Sequence, residues 1–306
     1  MASDLAPIVL FVYNRLWHTR QTIESLLENE LAAESELYIY ADGSKNLEDS
    51  YAVCEVREYI RNIVGFKLVT VCERDKNFGL ANSIINGVSD VVNRYGKVIV
   101  LEDDLVTSPY FLRYMNEALE LYANEEKVIC IHGYVWPEER DLPESFFLKG
   151  ADCWGWATWK RGWELFEPDG KKLMRELKAQ NLLHRLDYNG AYPYALMLRN
   201  QISGKNDSWA VRWYASALLN DKLTLYPGKS LLQNIGNDDS GTHCGTTVAF
   251  NVVLASKPVI VKHIKPVEDE AALKLFVVCL KSLHIPFYKL ILRKIVKISR
   301  KFSWEC

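Results

Sequence analysis

Four short strand-like runs, separated by stretches of helical period, constrain this 306-residue chain more than any other feature. Residues 7–13 (PIVLFVY) have the length and apolar character of a strand covered on both faces, and 37–41 (LYIYA), 66–71 and 97–101 (KVIVL) read as three further strands. Between them, residues 18–27 carry helical spacing through Ile23, Leu26 and Leu27, with Thr19 as the expected N-cap. Residues 48–64 read as a second helix. Leu80, Ile84, Val88 and Val91 make one apolar stripe of a third helix over 80–95, and Gly96 stands where a C′ glycine belongs. Ser108-Pro109 then offers an N-cap and a first-turn proline for a helix reaching residue 123, and a fifth strand follows at 128–131. This alternation predicts an α/β fold: a mostly parallel sheet flanked by helices.

In such sheets ligands bind outside the carboxyl ends of the strands. Tyr13-Asn14-Arg15, Asp42-Gly43-Ser44 and Glu102-Asp103-Asp104 all fall at those ends. On a continuing strand Glu102 and Asp104 would share one face and Asp103 the other. Three adjacent carboxylates repel one another unless a positive charge sits among them. A hard divalent cation, Mg²⁺ or Mn²⁺, meets that need and is usually held by one or two carboxylates plus substrate phosphates. An acidic triplet alone also reads as a solvated loop. Its position after a buried-type strand, beside two other polar strand ends, favours the site.

The 49% hydrophobic and 25% charged composition excludes a disordered chain, and a net charge of -2 gives no reason to expect a nucleic-acid partner. Seven cysteines without a CxxC pair fit reduced thiols better than a disulfide framework or a structural zinc. The first residues lack a basic region followed by an apolar stretch, and no run reaches the ~18 apolar residues of a membrane span. A cytoplasmic location is therefore expected. After residue 137 the alternation is lost, and aromatics crowd in at Trp154, Trp156, Trp159, Trp163, Trp209 and Trp213. They suit core packing and stacking on a sugar face equally.

Taken as a set, the motifs resemble glycosyltransferases of the GT-A fold, in particular the bacterial family-2-type and N-acetylglucosaminyltransferase I-like enzymes. The order is strand, Asn-Arg, helix, strand, Asp-Gly-Ser, strand, Asn-x-Gly-Leu-Ala-x-Ser, strand, Glu-Asp-Asp. The later segments 153–160 (CWGWATWK), 206–213 (NDSWAVRW) and 234–243 (NIGNDDSGTH) extend the likeness, which covers roughly residues 7–245. The resemblance implies a Rossmann-like domain over 1–265, with a nucleotide-sugar half at 1–105 and an aromatic-rich acceptor half at 106–265. It implies a nucleotide-sugar donor, with a UDP-sugar as the expected form, and Mn²⁺ or Mg²⁺ as cofactor. The implied acceptor is a glycan or lipid-linked glycan of bacterial surface polysaccharide.

Residue by residue, Asp104 resembles the metal ligand of the Asp-x-Asp-type motif, Glu102 stands where many members have Asp, and Asp103 resembles the residue near the ribose. Asp42 resembles the carboxylate that reads the nucleobase, with Asn14 and Arg15 beside it, and Asn77 and Gly79 match the loop approaching the donor. Asp207 resembles the catalytic base of inverting members, a task that suits a carboxylate ionised at neutral pH. It also sits in good helix-capping sequence. His243 resembles the late histidine that completes some metal sites, and an imidazole there would favour Mn²⁺.

The stretch 266–306 is expected to form a basic amphipathic helical tail. Eight Lys or Arg and no acidic residue lie between residues 271 and 303, interleaved with apolar residues and interrupted by Pro286. Residues 273–302 would suit either the anionic inner face of the cell membrane, making the protein peripheral, or packing on the domain. A sugar-1-phosphate nucleotidyltransferase shares this architecture but would want a glycine-rich loop, and residues 11–17 contain no glycine. A non-catalytic carbohydrate-binding protein would leave the acidic strand ends without a purpose.

Overall fold

The computed structural model describes residues 5–136, 142–241 and 247–283. Four parallel strands form the first half of the sheet: β1 (Ile8–Val12), β2 (Glu36–Ala41), β3 (Leu68–Glu73) and β4 (Lys97–Glu102). They are joined by the helices α1 (Leu16–Leu27), α2 (Leu47–Ile60) and α3 (Leu80–Tyr95). A short strand β5 (Leu105–Thr107), helix α4 (Phe111–Leu121) and strand β6 (Val128–His132) follow. Next come β7 (Ser145–Lys149), β8 (Trp156–Trp159), and the helices α5 (Lys160–Trp163), α6 (Gly170–Ala179), α7 (Leu183–Leu186), α8 (Tyr194–Ile202) and α9 (Trp209–Leu219). The described chain closes with β9 (Leu223–Pro227), β10 (Leu232–Asn234) and α10 (Glu270–Leu283). The eight-stranded sheet runs β3-β2-β1-β4-β8-β6-β9-β7, with β7 and β8 antiparallel to their neighbours, and β5 pairs separately with β10.

The period-2 rule explains the layering. Ile8, Leu10 and Val12 face the layer of α1, α2 and α4, whereas Val9 and Phe11 face α3. On β4, Ile99 and Leu101 take the first face and Val98 and Val100 the second. Every one of these side chains is buried, which is why the runs lack polar alternation. Helix α3 lies so close to β1 that a Cβ at Gly87 would come within 2.7 Å of the Phe11 ring.

Two helix starts differ from the sequence expectation. Helix α1 begins at Leu16 with Arg15 as N-cap, and Thr19 lies inside the first turn, donating its hydroxyl to the Arg15 carbonyl. Helix α4 begins at Phe111 with Tyr110 as N-cap; the Ser108 hydroxyl donates to the Ala255 carbonyl and accepts from the Tyr110 N–H at 3.4 Å, one turn ahead of the helix. Gly96 does adopt the left-handed conformation of a helix terminator, at φ 78°.

The sheet does not stop where the alternation fades. β8, only four residues long, inserts between β4 and β6. Its Trp156 is fully buried and its ring stacks on Trp209 (5.5 Å between centroids, 28°) and touches Trp163 and Trp213. These four indoles pack on one another, so core packing, not a sugar-stacking surface, accounts for them. Helix α10 buries Ala272, Phe276, Cys279 and Leu280 against the protein, with Phe276 against Phe146 and Tyr226. The first turns of the basic stretch therefore pack on the domain; residues 284–302 lie outside the described residues.

Trp156→Ala is expected to cost about 3–5 kcal/mol in denaturant unfolding. Trp156→Phe should cost clearly less, because the indole N–H has no hydrogen-bond partner to lose among the described residues. Equal losses would show that packing of the four indoles is not what holds the two halves of the sheet together.

Candidate active site

β1 ends at Val12 and α1 begins at Leu16, so Tyr13-Asn14-Arg15 is the whole connection. β1 has β2 on one side and β4 on the other, which makes the gap beyond their carboxyl ends a topological switch point. Arg15 spans it. Its Nη2 donates to Asp103 Oδ1 and, at 2.8 Å, to Asp104 Oδ2, while Nε donates to Asp103 Oδ2 at 3.3 Å. Both aspartates reach one guanidinium because β4 stops at Glu102 and residues 103–104 turn into β5. The expected alternation of faces across the three carboxylates therefore ends at Glu102.

The turn is held from both sides. The Thr22 hydroxyl donates to the Asp103 carbonyl at 2.8 Å and accepts from the Leu105 N–H at 3.0 Å. On the other side the Ile235 N–H donates to the Asp104 carbonyl at 2.8 Å. Gly236 lies directly against the Asp104 carboxylate, where any Cβ would overlap it.

Three carboxylates thus face one guanidinium. Burial, with the Asp104 and Asp103 charges adding to it, pushes the Glu102 carboxyl up to about 8. Burial also raises Asp103, to about 6, against the opposing pull of Arg15. Arg15 rises despite its own burial, because both aspartates favour its charged form. A cluster with this surplus of negative charge fits a divalent cation, and Asp104 Oδ1 makes no hydrogen bond among the described residues. No group of three or more His, Cys, Asp or Glu among the described residues forms a ready-made cage. An ion here would need ligands beyond those of the protein, such as a substrate phosphate, and Asp104 would be the residue to hold it. His243 lies outside the described residues.

Asp42, at the end of β2, uses both carboxylate oxygens on backbone. Oδ1 accepts from the N–H groups of Gly43 and Phe78 (2.9 and 2.8 Å), and Oδ2 accepts from that of Gly79 at 2.9 Å. Asn77 donates from Nδ2 to the Gly43 carbonyl at 2.8 Å. These bonds tie the loop before α3 to the end of β2. Asn14 donates to Asp49 Oδ1 at 3.2 Å, and the Tyr13 hydroxyl donates to Asp49 Oδ2 at 2.9 Å. Asp49, in the first turn of α2, anchors the β1 connection and was not singled out by sequence.

Asp207 stands just before α9. Ser208, not Asp207, caps that helix by accepting from the Val211 N–H. The Asp207 carboxylate is 62% exposed, with Arg212 Nη2 3.7 Å away. Its Oδ2 lies 3.9 Å from where a Cβ on Gly79 would stand. A chain of contacts therefore links Asp207 to Gly79, Gly79 to Asp42, and Asp42 through its N–H to the end of β1, where Arg15 holds the acidic turn.

Sequence reasoning missed one further carboxylate. Asp152, on the segment leading into β8, accepts from the Tyr226 hydroxyl at 3.1 Å and faces His132 at the end of β6. Its signal was a position immediately before the 153–160 motif, unreadable without knowing that β8 lies beside β4.

Residues 8–147 match the family model described as Glycosyl transferase family 2. That segment, somewhat under half of the chain, holds β1 to β6 together with Asn14, Arg15, Asp42, Asn77, Gly79 and the acidic turn. No curated protein matches the chain. Among solved structures it is similar to TarS of S. aureus, at 16% identity over 48% of this chain and 24% of that one, TM-score 0.32. It is also similar to the mannosyltransferase PcManGT of Pyrobaculum calidifontis, solved with GDP-Man and Mn²⁺, at 15% identity over 44% and 39%, TM-score 0.31. A third similar structure is a UDP-glucose pyrophosphorylase complexed with UDP-glucose, at 13% identity over 73% and 90%, TM-score 0.35. The matched parts thus span well under two thirds of the first two proteins, and likeness at this level bears on neither activity nor substrate.

The raised Glu102 carboxyl has a consequence for stability. An acid whose pKa is higher folded than unfolded stabilises the fold at low pH and loses that stabilisation as pH climbs from about 4.5 through about 8. Glu102→Gln removes the ionisation. Metal-free Glu102→Gln should therefore melt above the wild type by about 2–4 °C at the alkaline end of that range, with little difference at its acid end. A gap independent of pH in differential scanning fluorimetry would contradict this.

Proposed function

We propose that the protein is an inverting, metal-assisted hexosyltransferase that moves a sugar from a nucleotide diphosphate donor, a UDP-sugar, to a hydroxyl of a glycan or lipid-linked glycan. The observation that carries this reading is the convergence at one sheet edge of the acidic turn with an exposed, uncapped Asp207 across the Gly79 loop. The nucleotide half is residues 1–105 and the acceptor half 106–265. Asn14, Arg15, Asp42, Asn77, Gly79, Glu102 and Asp103 form the donor side, and Asp104, with His243, would hold Mn²⁺ or Mg²⁺. The ion, when bound, offsets the negative charge that the leaving nucleoside diphosphate gains in the transition state.

The protein's own groups do the rest. Arg15, held at the switch point by Asp103 and Asp104, supplies positive charge beside the donor phosphates. Asp207 takes the proton of the acceptor hydroxyl as its oxygen bonds to the anomeric carbon and the carbon–phosphate oxygen bond breaks on the opposite face. One carboxylate in that position suffices for inversion, since no covalent glycosyl-enzyme is needed. The Asp42 carboxylate, spent on three backbone N–H groups, acts by shaping the loop that carries Gly79. No helix among the described residues is long and apolar enough to cross a membrane, and we infer a cytoplasmic site of action in surface polysaccharide biosynthesis.

Asp207→Asn should lower turnover of the donor with acceptor by about 10²- to 10⁴-fold while the KM for the UDP-sugar stays near the wild-type value. Asp104→Ala, or EDTA on the wild type, should abolish both transfer and the slow hydrolysis of the donor. Retained transfer in Asp207→Asn would remove the catalytic base; pyrophosphate-dependent formation of a nucleoside triphosphate would instead mark a nucleotidyltransferase.

A further inference from the structure

Asp104 is gripped from two directions, and both grips start at the first turn of α1. Arg15, the N-cap of that helix, donates from Nη2 to Asp104 Oδ2 at 2.8 Å. Gly236 comes from the far end of the chain and lies where any Cβ would overlap Asp104 Oδ2. It is brought there by β10, which pairs with β5 up to Asn234 opposite Leu105; the next N–H, that of Ile235, donates to the Asp104 carbonyl at 2.8 Å. Oδ2 is thus covered, and Oδ1 is the Asp104 oxygen left without a hydrogen bond among the described residues.

The chain beyond Gly236 is exposed at Asp238, Asp239 and Ser240, so something must fasten it. His18 supplies the tie. It lies three residues after Arg15, is buried, and its Nε2 stands 3.0 Å from Asp238 Oδ2. Asp238 Oδ1 accepts from the Ser240 hydroxyl at 2.6 Å and from the Ser240 N–H at 3.0 Å. The Ser240 hydroxyl above all holds the Asp238 carboxyl below its usual range. The carboxylate is therefore ionised at neutral pH and can only accept, so His18 Nε2 carries the proton and donates. Oδ1 closes the loop on itself and Oδ2 fastens it to α1. Among the described residues, 237–241 make no hydrogen bond to a helix or strand except through His18. The Trp17 ring meets the imidazole edge to face at 4.9 Å and backs it.

We propose that His18 is a positioning residue of the donor side: through Asp238 it holds Gly236 on Asp104 Oδ2 and so keeps Oδ1 presented to a divalent ion. This rests on the transferase reading, in which Asp104 holds that ion. A purely structural imidazole would fill the space beside Trp17 without needing a donor aimed at a carboxylate two residues from Gly236. A bond to a carboxylate that is 44% exposed adds little to the stability of the whole fold. Groups standing one step behind a metal ligand, by contrast, change metal affinity tenfold or more when removed. The use of the His18–Asp238 pair is therefore local order at Asp104.

Two measurements on the full chain test this. Hydrogen exchange without ligands reads the loop itself. In His18→Ala and in Asp238→Ala the peptide carrying the Ile235 and Gly236 amides should exchange about tenfold faster, while β1 peptides exchange as in the wild type. The double variant should be no worse than either single one, and His18→Gln, which keeps an N–H donor, should stay near the wild type. Calorimetric titration of UDP reads the consequence: in His18→Ala the affinity should fall about tenfold with Mn²⁺ present and stay unchanged in EDTA. Unaltered exchange in both single variants, a full Mn²⁺ effect surviving in His18→Ala, or UDP affinity lost equally with and without Mn²⁺ overturns the positioning role. Faster exchange in the variants of a protein whose wild type binds UDP no better with Mn²⁺ overturns the transferase reading instead.

Discussion

The bridge from Arg15 to Asp103 and Asp104 is the interaction on which the rest of the candidate site depends. It joins the ends of β1 and β4 across the gap where the strand order changes direction, and it does so with a guanidinium bonded to two buried carboxylates. A buried ion pair of this kind gains little net stability once desolvation is counted. Its use is geometric: with Thr22 and Ile235 holding the turn from either side, the carboxylates sit at fixed positions before any ligand arrives. Preorganisation of this sort is what electrostatic catalysis requires.

From that bridge the architecture extends in two directions. Towards β3, Asp42 fastens the Gly79 loop by three backbone hydrogen bonds and so fixes the opening that Asp207 faces. Towards β7, the packed indoles of Trp156, Trp163, Trp209 and Trp213 join β8, α5 and α9 to the layer of α3 and β4. The chain after residue 105 therefore continues the same sheet, and Asp152 and His132 sit beside strands whose order sequence alone does not give.

Much of the first half of the fold was legible because β1, β2 and β4 obey one rule, while the edge strand β3 is partly exposed along its length. Strands buried on both faces must be apolar, the helices between them must carry one apolar stripe, and the polar groups are left to the strand ends. Arg15, Asp42 and the acidic turn could be read that way. β8 could not, since four residues cannot display a period and its tryptophans satisfy core and ligand readings alike. Thr19 and Ser108 misled because a hydroxyl near a helix start does not fix the boundary: Thr19 lies inside the first turn of α1 and Ser108 two residues before the N-cap of α4. Asp152 and Gly236 were invisible for a different reason: their importance lies in what approaches them from over a hundred residues away in one case and across the sheet in the other.

The central claim is that the turn after β4, tied to Arg15, is where a nucleoside diphosphate and a divalent ion bind together. Calorimetric titration of UDP in the presence and absence of Mn²⁺, on the wild type and on Asp104→Asn, measures that coupling directly. The account predicts that Mn²⁺ tightens UDP binding to the wild type by about tenfold or more and leaves Asp104→Asn unaffected. UDP affinity indifferent to Mn²⁺ in the wild type, or a full Mn²⁺ effect surviving in Asp104→Asn, would contradict it.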